Sequence, residues 1–239
     1  MEIRDGWRIR KARAPSISLL VFSMKDLVLF GAGGHCKVVI EAIQKQGLYQ
    51  IMGILDDDER LLGKEHFGCR ILGGRNWHFP DDCALIVTIG ANPIRRDIAD
   101  AFRRRGLPLG TAVDPSCQVS RGVRLGQGTV LLAAAIVSSD TVIGNNVVIN
   151  TGAIVSHDCQ IGDDVHISPG ANIGGGAVIE SGVLVGIGAN ILPRGRVGRD
   201  AIVAAGSCVI TRVEAGTTVI GVPARPLRPA VRSGNQTAS

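Results

Sequence analysis

Aliphatic residues recur at every sixth position through the second half of the chain. Every sixth residue from Val113 to Val209 is valine, leucine or isoleucine, and the residue four places after each of them is small or β-branched. A period of six fits neither the 3.6-residue helix nor a simple alternating strand. It fits short strands joined by sharp corners, with the leading aliphatic side chain pointing inward. The pattern predicts a β-solenoid over residues 111–222.

The first half alternates between apolar strands and amphipathic helices. Apolar runs at residues 26–30, 51–55 and 85–89 predict strands, and residues 36–46 predict a helix after a glycine-rich loop. This alternation favours a small Rossmann-like parallel α/β domain over residues 24–110. A second helix is predicted after Gly90-Ala91-Asn92-Pro93, and we expect the following arginines of this helix to lie in solvent: Arg95, Arg96, Arg103, Arg104 and Arg105.

Composition supports two dissimilar halves. The five Phe, two Trp and one Tyr all lie at or before Phe102, so the rest of the chain must build its core from aliphatic residues. Such a core consists of thin, regularly repeated layers. Residues 223–239 are predicted to form a C-terminal tail.

Charge and hydropathy exclude two classes of partner. The net charge is +5, of which +3 lies before Met24, so residues 24–239 lack the basic stripe that nucleic-acid binding requires. No apolar run reaches the roughly 18 residues of a membrane span. Residues 1–23 resemble a truncated signal peptide. The alternative is an N-terminal extension that is disordered, or that is translated from a start codon assigned too early, with Met24 as the natural initiator.

The six cysteines contain no C-x-x-C pair and have the spacing of neither a zinc site nor a small disulfide scaffold. We expect reduced, mostly buried thiols and a cytoplasmic location.

The glycine loop at residues 31–35 lies between a predicted strand and helix, where main-chain N–H groups can bind a phosphate. The dinucleotide fingerprint is incomplete because Cys36 replaces its third glycine, so a simple tight turn is the alternative. Asp56 lies at the distance where such folds bind a ribose hydroxyl, or else belongs to a solvated turn.

Two histidines of the solenoid are candidate catalytic residues. His157 is the third residue of its hexad, at a corner and directed outward, and His166 precedes the inward Ile167. The alternative is an exposed histidine of no functional importance. Two histidines fall short of a three-histidine zinc site, so no metal is expected.

The hexads resemble those of the hexapeptide-repeat acyltransferases. That resemblance implies a left-handed β-helix with three flat faces, five to six coils for this chain, and a homotrimer. Further motifs resemble the sugar acetyltransferases of the sialic acid and bacillosamine type over Met24 to Leu227. They are residues 149–159 with His166, the Gly-Ala-Gly-Gly-His loop, Leu55-Asp56-Asp57, Ile89-Gly90 and Gly221-Val222-Pro223-Ala224.

In that family the α/β domain holds a nucleotide sugar, and acetyl-CoA lies along the β-helix between neighbouring subunits. The resemblance implies that His157 is the general base, that Asp158 orients it, and that His166 contacts the acetyl end of CoA. It also implies pantetheine contacts at the main chain of Ile187 and Ala205. The nucleotide-sugar site would contain Gly33, Gly34, His35, Asp56, Asp57 and Gly90.

We therefore expect an acetyl-CoA-dependent N-acetyltransferase that acts on the amino group of a nucleotide-linked sugar in glycan biosynthesis. Direct transfer is expected because Cys159 occupies an inward position of its hexad. The nearest alternative is O-acetylation of sialic acid or a related sugar. More distant alternatives are an NAD-dependent oxidoreductase and a solenoid scaffold without activity. The sequence leaves open the sugar, its nucleotide and the length of the acyl chain.

Overall fold

The computed structural model describes residues 24–227. It shows a small α/β domain followed by a parallel β-helix, which confirms the predicted fold class. The predicted extension at residues 1–23, and residues 228–239 of the predicted tail, lie outside the described residues. No helix within the described range is long and apolar enough to cross a membrane.

The α/β domain is a five-stranded sheet with a helix on each face. Its strands are β1 (Lys25–Phe30), β2 (Tyr49–Leu55), β3 (Glu65–His66), β4 (Cys69–Gly73) and β5 (Ala84–Val87), in the order β3-β4-β2-β1-β5. All neighbours are parallel except β3 and β4. The helices are α1 (Gly34–Gln46) and α2 (Asn92–Arg104), and a short 3₁₀ helix covers Glu59–Leu61.

The β3–β4 hairpin was not predicted. Its turn residues Phe67 and Gly68 both have positive φ values, 51° and 74°. A turn of this kind usually carries Asn-Gly or Asp-Gly, so Phe-Gly gives only a weak sequence signal.

Three parallel sheets form the faces of the β-helix. Face 1 contains Ala112–Val113, Val130–Leu131, Val148–Ile149, His166–Ile167, Leu184–Val185, Ile202–Val203 and Thr218–Ile220, and Arg225–Pro226 adds antiparallel to its end. Face 2 contains Gln118–Val119, Ile136–Val137, Ile154–Val155, Asn172–Ile173, Asn190–Ile191 and Cys208–Val209. Face 3 contains Arg124–Leu125, Val142–Ile143, Gln160–Ile161, Val178–Ile179 and Arg196–Val197. Corners 1, 2 and 3 follow faces 1, 2 and 3 along the chain.

Each coil before the last takes three hexads because paired residues are 18 apart, as in Ile136 with Ile154 and Ile154 with Asn172. The last coil is two residues shorter, since Val197 pairs with Val213 and Ile202 with Thr218. The leading aliphatic residues stack inside the three faces and form one continuous core. Val119 is an exception to the predicted inward set, since 43% of it is exposed. It belongs to the first coil, which has no coil before it to cover its side chain.

Helix α1 packs between the sheet and face 1 of the β-helix. Val39 and Ile43 of the helix share one buried cluster with Leu27 of β1 and with Val130 and Val148 of face 1. The outward side chains at the start of face 1 are therefore apolar because the first domain covers them, which removes that part of the face from solvent.

The expectation that Arg95 lies in solvent is wrong, since only 1% of it is exposed. Its Nε donates to the Asn146 carbonyl at 3.1 Å and its Nη2 to the Asp164 carbonyl at 2.8 Å, both at corner 3. Its Nη1 donates to the Gly90 carbonyl at 3.2 Å. Helix α2 lies against corner 3. Arg95, which the sequence pattern placed on the polar side of this helix, is therefore enclosed between the two domains.

Two neighbours of Arg95 extend this contact along corner 3. The Asn92 side-chain amide donates to the Gly182 carbonyl at 2.9 Å, and Arg96 Nη2 donates to Asp200 Oδ1 at 2.6 Å. Helix α2 is therefore fixed to several successive coils.

Inward aliphatic side chains should matter for stability only where coils cover them. We expect Val185→Ala, a fully buried site, to lower the free energy of unfolding by about 2 kcal/mol, because buried methyl groups are lost and a cavity remains. Val119→Ala makes the same chemical change at an exposed site and should cost well under 1 kcal/mol. Chemical denaturation of both variants measures the difference, and equal losses would contradict the assigned burial.

Candidate active site

His157 and Asp158 form a pair at corner 2, directly after the strand Ile154–Val155. The distance from His157 Nδ1 to Asp158 Oδ2 is 2.7 Å, and both side chains are about two-thirds exposed. Asp158 has φ 59°, a left-handed conformation that aspartate tolerates better than most residues. Because a carboxylate only accepts hydrogen bonds, Nδ1 carries the proton and Nε2 of the neutral imidazole is an acceptor.

The next coil has no side chain above this pair. Its corner 2 consists of Gly174, Gly175 and Gly176. A Cβ atom on Gly175 would lie 2.7 Å from His157 Nε2, closer than any ordinary contact. Glycine at this position therefore makes room for the imidazole, whose Nε2 faces a glycine-lined slot open to solvent.

Adding one methyl group to this slot should displace the histidine. We expect Gly175→Ala to rotate the His157 imidazole and to break its hydrogen bond to Asp158. The bond is visible in a crystal structure of the variant and in the ¹⁵N shifts of the His157 ring. Gly33→Ala is the control, because Gly33 has φ −80° and a Cβ there meets no atom within 4 Å. An unmoved imidazole in Gly175→Ala would contradict the assigned geometry.

His166 lies on face 1 at the domain junction and is only 9% exposed. Its side chain points away from the solenoid core, as the hexad phase predicted, but the α/β domain covers it. The alternative of an exposed histidine is therefore wrong. Its Nδ1 lies 3.1 Å from the Gly90 carbonyl, and its Nε2 lies 3.1 Å from the side-chain amide nitrogen of Asn150.

These two contacts determine the tautomer of His166. A carbonyl accepts, so Nδ1 carries the proton, and Nε2 accepts from the Asn150 amide. Both ring nitrogens of His166 thus have hydrogen-bond partners. The contact between His166 and the acetyl group of CoA stays a prediction. Asn150 was not singled out from the sequence, although it lies in the motif that carries the family resemblance.

His35 at the start of α1 approaches His166, with 6.1 Å between ring centroids. Burial lowers the pKa of both histidines to about 4, and the nearby Arg95 guanidinium contributes to both shifts. Both are neutral near pH 7. His35 Nε2 is buried and has no hydrogen-bond partner within the described residues.

This burial links stability to pH. A histidine with pKa 6.5 when unfolded and about 4 when folded binds more protons in the unfolded state between those values, so stability falls as pH falls through that window. We expect His166→Gln to reduce the stability lost between pH 7 and pH 5 by about 2 kcal/mol relative to wild type. Denaturant titrations at both pH values measure it. The exposed His78→Gln should keep the wild-type loss, and an unchanged loss in His166→Gln would contradict the burial of this ring.

The predicted nucleotide-sugar residues gather at the carboxyl edge of the sheet. Gly33 precedes α1 and supplies no side-chain cap, so the first N–H groups of the helix are available to an anion. A Cβ on Gly33, Gly34 or Gly90 would meet nothing within 4 Å. Only Gly31 is required by the turn itself, since its φ is 109° and a Cβ would lie 2.6 Å from Ile89.

The two predicted carboxylates of this site already have partners. Asp56 accepts from the main-chain N–H groups of Ala32 and Asp58, both at 2.9 Å, and so ties the glycine loop to the end of β2. Asp57 forms an ion pair with Arg75, which lowers the pKa of this carboxyl. Both line a pocket with Gly74 and Arg75, and Arg75 was missed in the sequence because it lies in an irregular loop.

The structure thus brings most of the predicted residues together in two groups. His35, Gly90 and His166 meet at the domain junction, whereas His157 and Asp158 lie at corner 2. Ile187 and Ala205 lie on successive coils of corner 1, where the Gly206 N–H donates to the Ile187 carbonyl at 2.8 Å.

The two domains match two family models. The PglD N-terminal domain matches residues 26–102, and the bacterial transferase hexapeptide model, of six repeats, matches residues 140–175. A UDP-N-acetylbacillosamine N-acetyltransferase of Bacillus subtilis is 33% identical over 122 residues, which is 46% of this chain. That match spans 52% of the relative, about half its length.

Solved structures match both domains together. The acetyltransferase domain of PglB from Neisseria gonorrhoeae is 35% identical with a TM-score of 0.79, over 85% of this chain and 100% of that domain, and it is also known with acetyl coenzyme A bound. PerB from Caulobacter crescentus, in complex with CoA and GDP-perosamine, is 33% identical with a TM-score of 0.78, over 85% of this chain and 97% of that one.

The matches over both domains identify the chain as a member of the hexapeptide-repeat acyltransferases. Within that class, the chain belongs to the family of acetyltransferases that join a PglD-type N-terminal domain to a hexapeptide-repeat β-helix.

Proposed function

We propose that this protein transfers the acetyl group of acetyl-CoA to the amino group of a nucleotide-linked amino sugar. The observation that carries the proposal is the exposed His157–Asp158 pair, whose free Nε2 faces the glycine slot. The ligands of the relatives support it, since PerB is known with CoA and GDP-perosamine and the Bacillus subtilis relative is named for a UDP-linked amino sugar.

His157 acts as the general base in this proposal. The neutral amine attacks the thioester carbonyl, a C–N bond forms, and Nε2 takes the proton that the nitrogen loses. Asp158 stabilises the resulting imidazolium through Nδ1. The tetrahedral oxyanion is stabilised by a main-chain N–H group, and the C–S bond then breaks to release CoA, whose thiolate recovers the proton from His157.

Direct transfer is supported by the environment of Cys159. Its side chain lies inside the solenoid and donates to the Gly174 carbonyl at 3.3 Å. Burial raises the pKa of this thiol, which disfavours the thiolate required for an acyl-enzyme.

A homotrimer explains the separation of the two groups of site residues. His157 lies at corner 2, whereas His166 lies on face 1, on a different side of the same prism. Gly90 and the glycine loop of the α/β domain lie next to His166. A neighbouring copy that presents its corner 2 to this face would complete the site, with acetyl-CoA in the cleft between the copies. The six free cysteines fit the proposed cytoplasmic location.

Loss of the proposed base should abolish most of the activity. We expect His157→Ala to lower the rate of thiol release from acetyl-CoA by a hundredfold or more, the scale of general-base catalysis. The assay uses a panel of UDP- and GDP-linked amino sugars and free sialic acid. The control is His78→Ala, which removes an exposed histidine that takes part in none of the site contacts described above.

The acceptor panel decides between the candidate reactions. Release that requires an amino sugar and depends on His157 supports the proposal. Release with sialic acid alone would favour O-acetylation by the same base. Activity that survives in His157→Ala would contradict the assigned role of this residue.

A further inference from the structure

Arg95 is a buried cation whose donors all meet main-chain carbonyl oxygens. Only 1% of the residue is exposed. At distances of 2.8 to 3.4 Å its guanidinium donates to the carbonyls of five residues: Ile89, Gly90, Asn146, Asp164 and Val165. A guanidinium carries five N–H groups in a fixed planar fork, so these acceptors use all of them. The side chain is therefore held in one orientation between the two domains.

The acceptors of Arg95 lie on both sides of His166. Asp164 and Val165 are the two residues before His166 in the chain, so the guanidinium holds the main chain that carries the ring. The Gly90 carbonyl is the partner of His166 Nδ1 at 3.1 Å, and it also accepts from Arg95 Nη1 at 3.2 Å. A shift of the guanidinium would therefore move both the base of the His166 side chain and the acceptor that selects its tautomer.

Attachment of helix α2 does not by itself account for this arginine. Asn92 and Arg96, on the same helix, already donate to groups of corner 3. Burying a charge is costly, and well-packed apolar side chains often replace buried charges without loss of stability. What the guanidinium supplies, and an apolar side chain does not, is a rigid set of donors that meets the Gly90 and Asp164 carbonyls together. The specific feature of Arg95 is therefore the geometry that it imposes on the junction.

We infer that Arg95 is a positioning residue of the transfer reaction, because it fixes the Gly90 carbonyl and with it the orientation and tautomer of the His166 ring. The inference rests on the proposed function, together with the predicted contact between His166 and the acetyl end of CoA. Arg95 acts through Gly90 and His166 and takes no part in bond making. With the guanidinium in place, Nδ1 of His166 keeps its proton and Nε2 stays an acceptor. Without it, the Gly90 peptide is free to turn and the ring exchanges between tautomers.

Arg95→Lys tests the geometry while keeping the charge. A lysine ammonium has three donors on one nitrogen and cannot reach five acceptors. We expect the ¹⁵N shifts of the His166 ring to change from a single Nδ1–H tautomer to a mixture, with His166→Gln assigning the signal among the five histidines. We expect kcat to fall roughly tenfold or more, because a group displaced by about 1 Å can cost on the order of a hundredfold. The KM for acetyl-CoA should change little, since the ring meets only the acetyl end of this donor.

Two controls separate positioning from stability. Asn92→Ala removes the side-chain amide that donates to the Gly182 carbonyl, and so weakens the same junction without removing a bond to Gly90 or to the chain that carries His166. Arg104→Lys makes the same substitution at an exposed site of the same helix. Both variants should keep the wild-type ring tautomer and the wild-type kcat. In chemical denaturation Asn92→Ala should lose stability, as Arg95→Lys does, whereas Arg104→Lys should not.

A wild-type tautomer and kcat in Arg95→Lys would overturn the inference, as would equal losses of kcat in Arg95→Lys and Asn92→Ala. The wild-type protein gives a test that needs no folded variant. Its His166 Nδ1–H and Arg95 Nε–H should exchange with solvent at similar slow rates, because both bonds open together. A much faster exchange at Nδ1 would also overturn the inference. If the wild-type protein acetylates no acceptor, the proposed function is wrong, and the ring spectra still show whether Arg95 orients His166.

Discussion

Main-chain hydrogen bonds between successive coils are the constraint on which the rest of the molecule depends. The Ile154 N–H donates to the Ala171 carbonyl, and the Asn172 N–H donates to the Ala189 carbonyl, in a pattern that repeats along all three faces. Since paired residues are 18 apart in all coils but the last, the position of a residue in those coils fixes its height, its corner and its direction. Inward positions must be aliphatic or small. Outward positions at the corners are free to vary, and there the protein carries its chemistry.

The junction of the two domains depends on a shared acceptor. The Gly90 carbonyl accepts from both His166 Nδ1 and Arg95 Nη1, so one peptide group joins a β-helix side chain to a helix of the first domain. The charged guanidinium of Arg95 is buried, and hydrogen bonds to carbonyl oxygens of both domains stabilise it there. Burial lowers its pKa to about 10, which leaves it protonated near neutral pH. Its charge favours neutral His35 and His166 and so contributes to the electrostatics of the junction.

The period of six made the β-helix predictable, because the same pattern of inward aliphatic residues recurs in every hexad. The phase of the hexads also gave the outward direction of His157 and His166. It could not show that the α/β domain covers His166, since that depends on how two separately folded units pack. The prediction that Arg95 lies in solvent was wrong for the same reason. Within its helix Arg95 has the pattern of a solvated residue, and the carbonyl acceptors that allow its burial come from corner 3 of the other domain.

Three histidines, His35, His157 and His166, are predicted site residues, and their surroundings separate them chemically. His166 has partners on both ring nitrogens, and burial keeps it and His35 neutral, so they are suited to hold fixed geometry. His157 is exposed, has a carboxylate 2.7 Å from Nδ1 to stabilise a positive imidazole, and presents Nε2 to the glycine slot. Of the three, His157 alone combines an accessible acceptor nitrogen with a counter-charge. Its environment therefore favours it as the residue that accepts a proton during transfer.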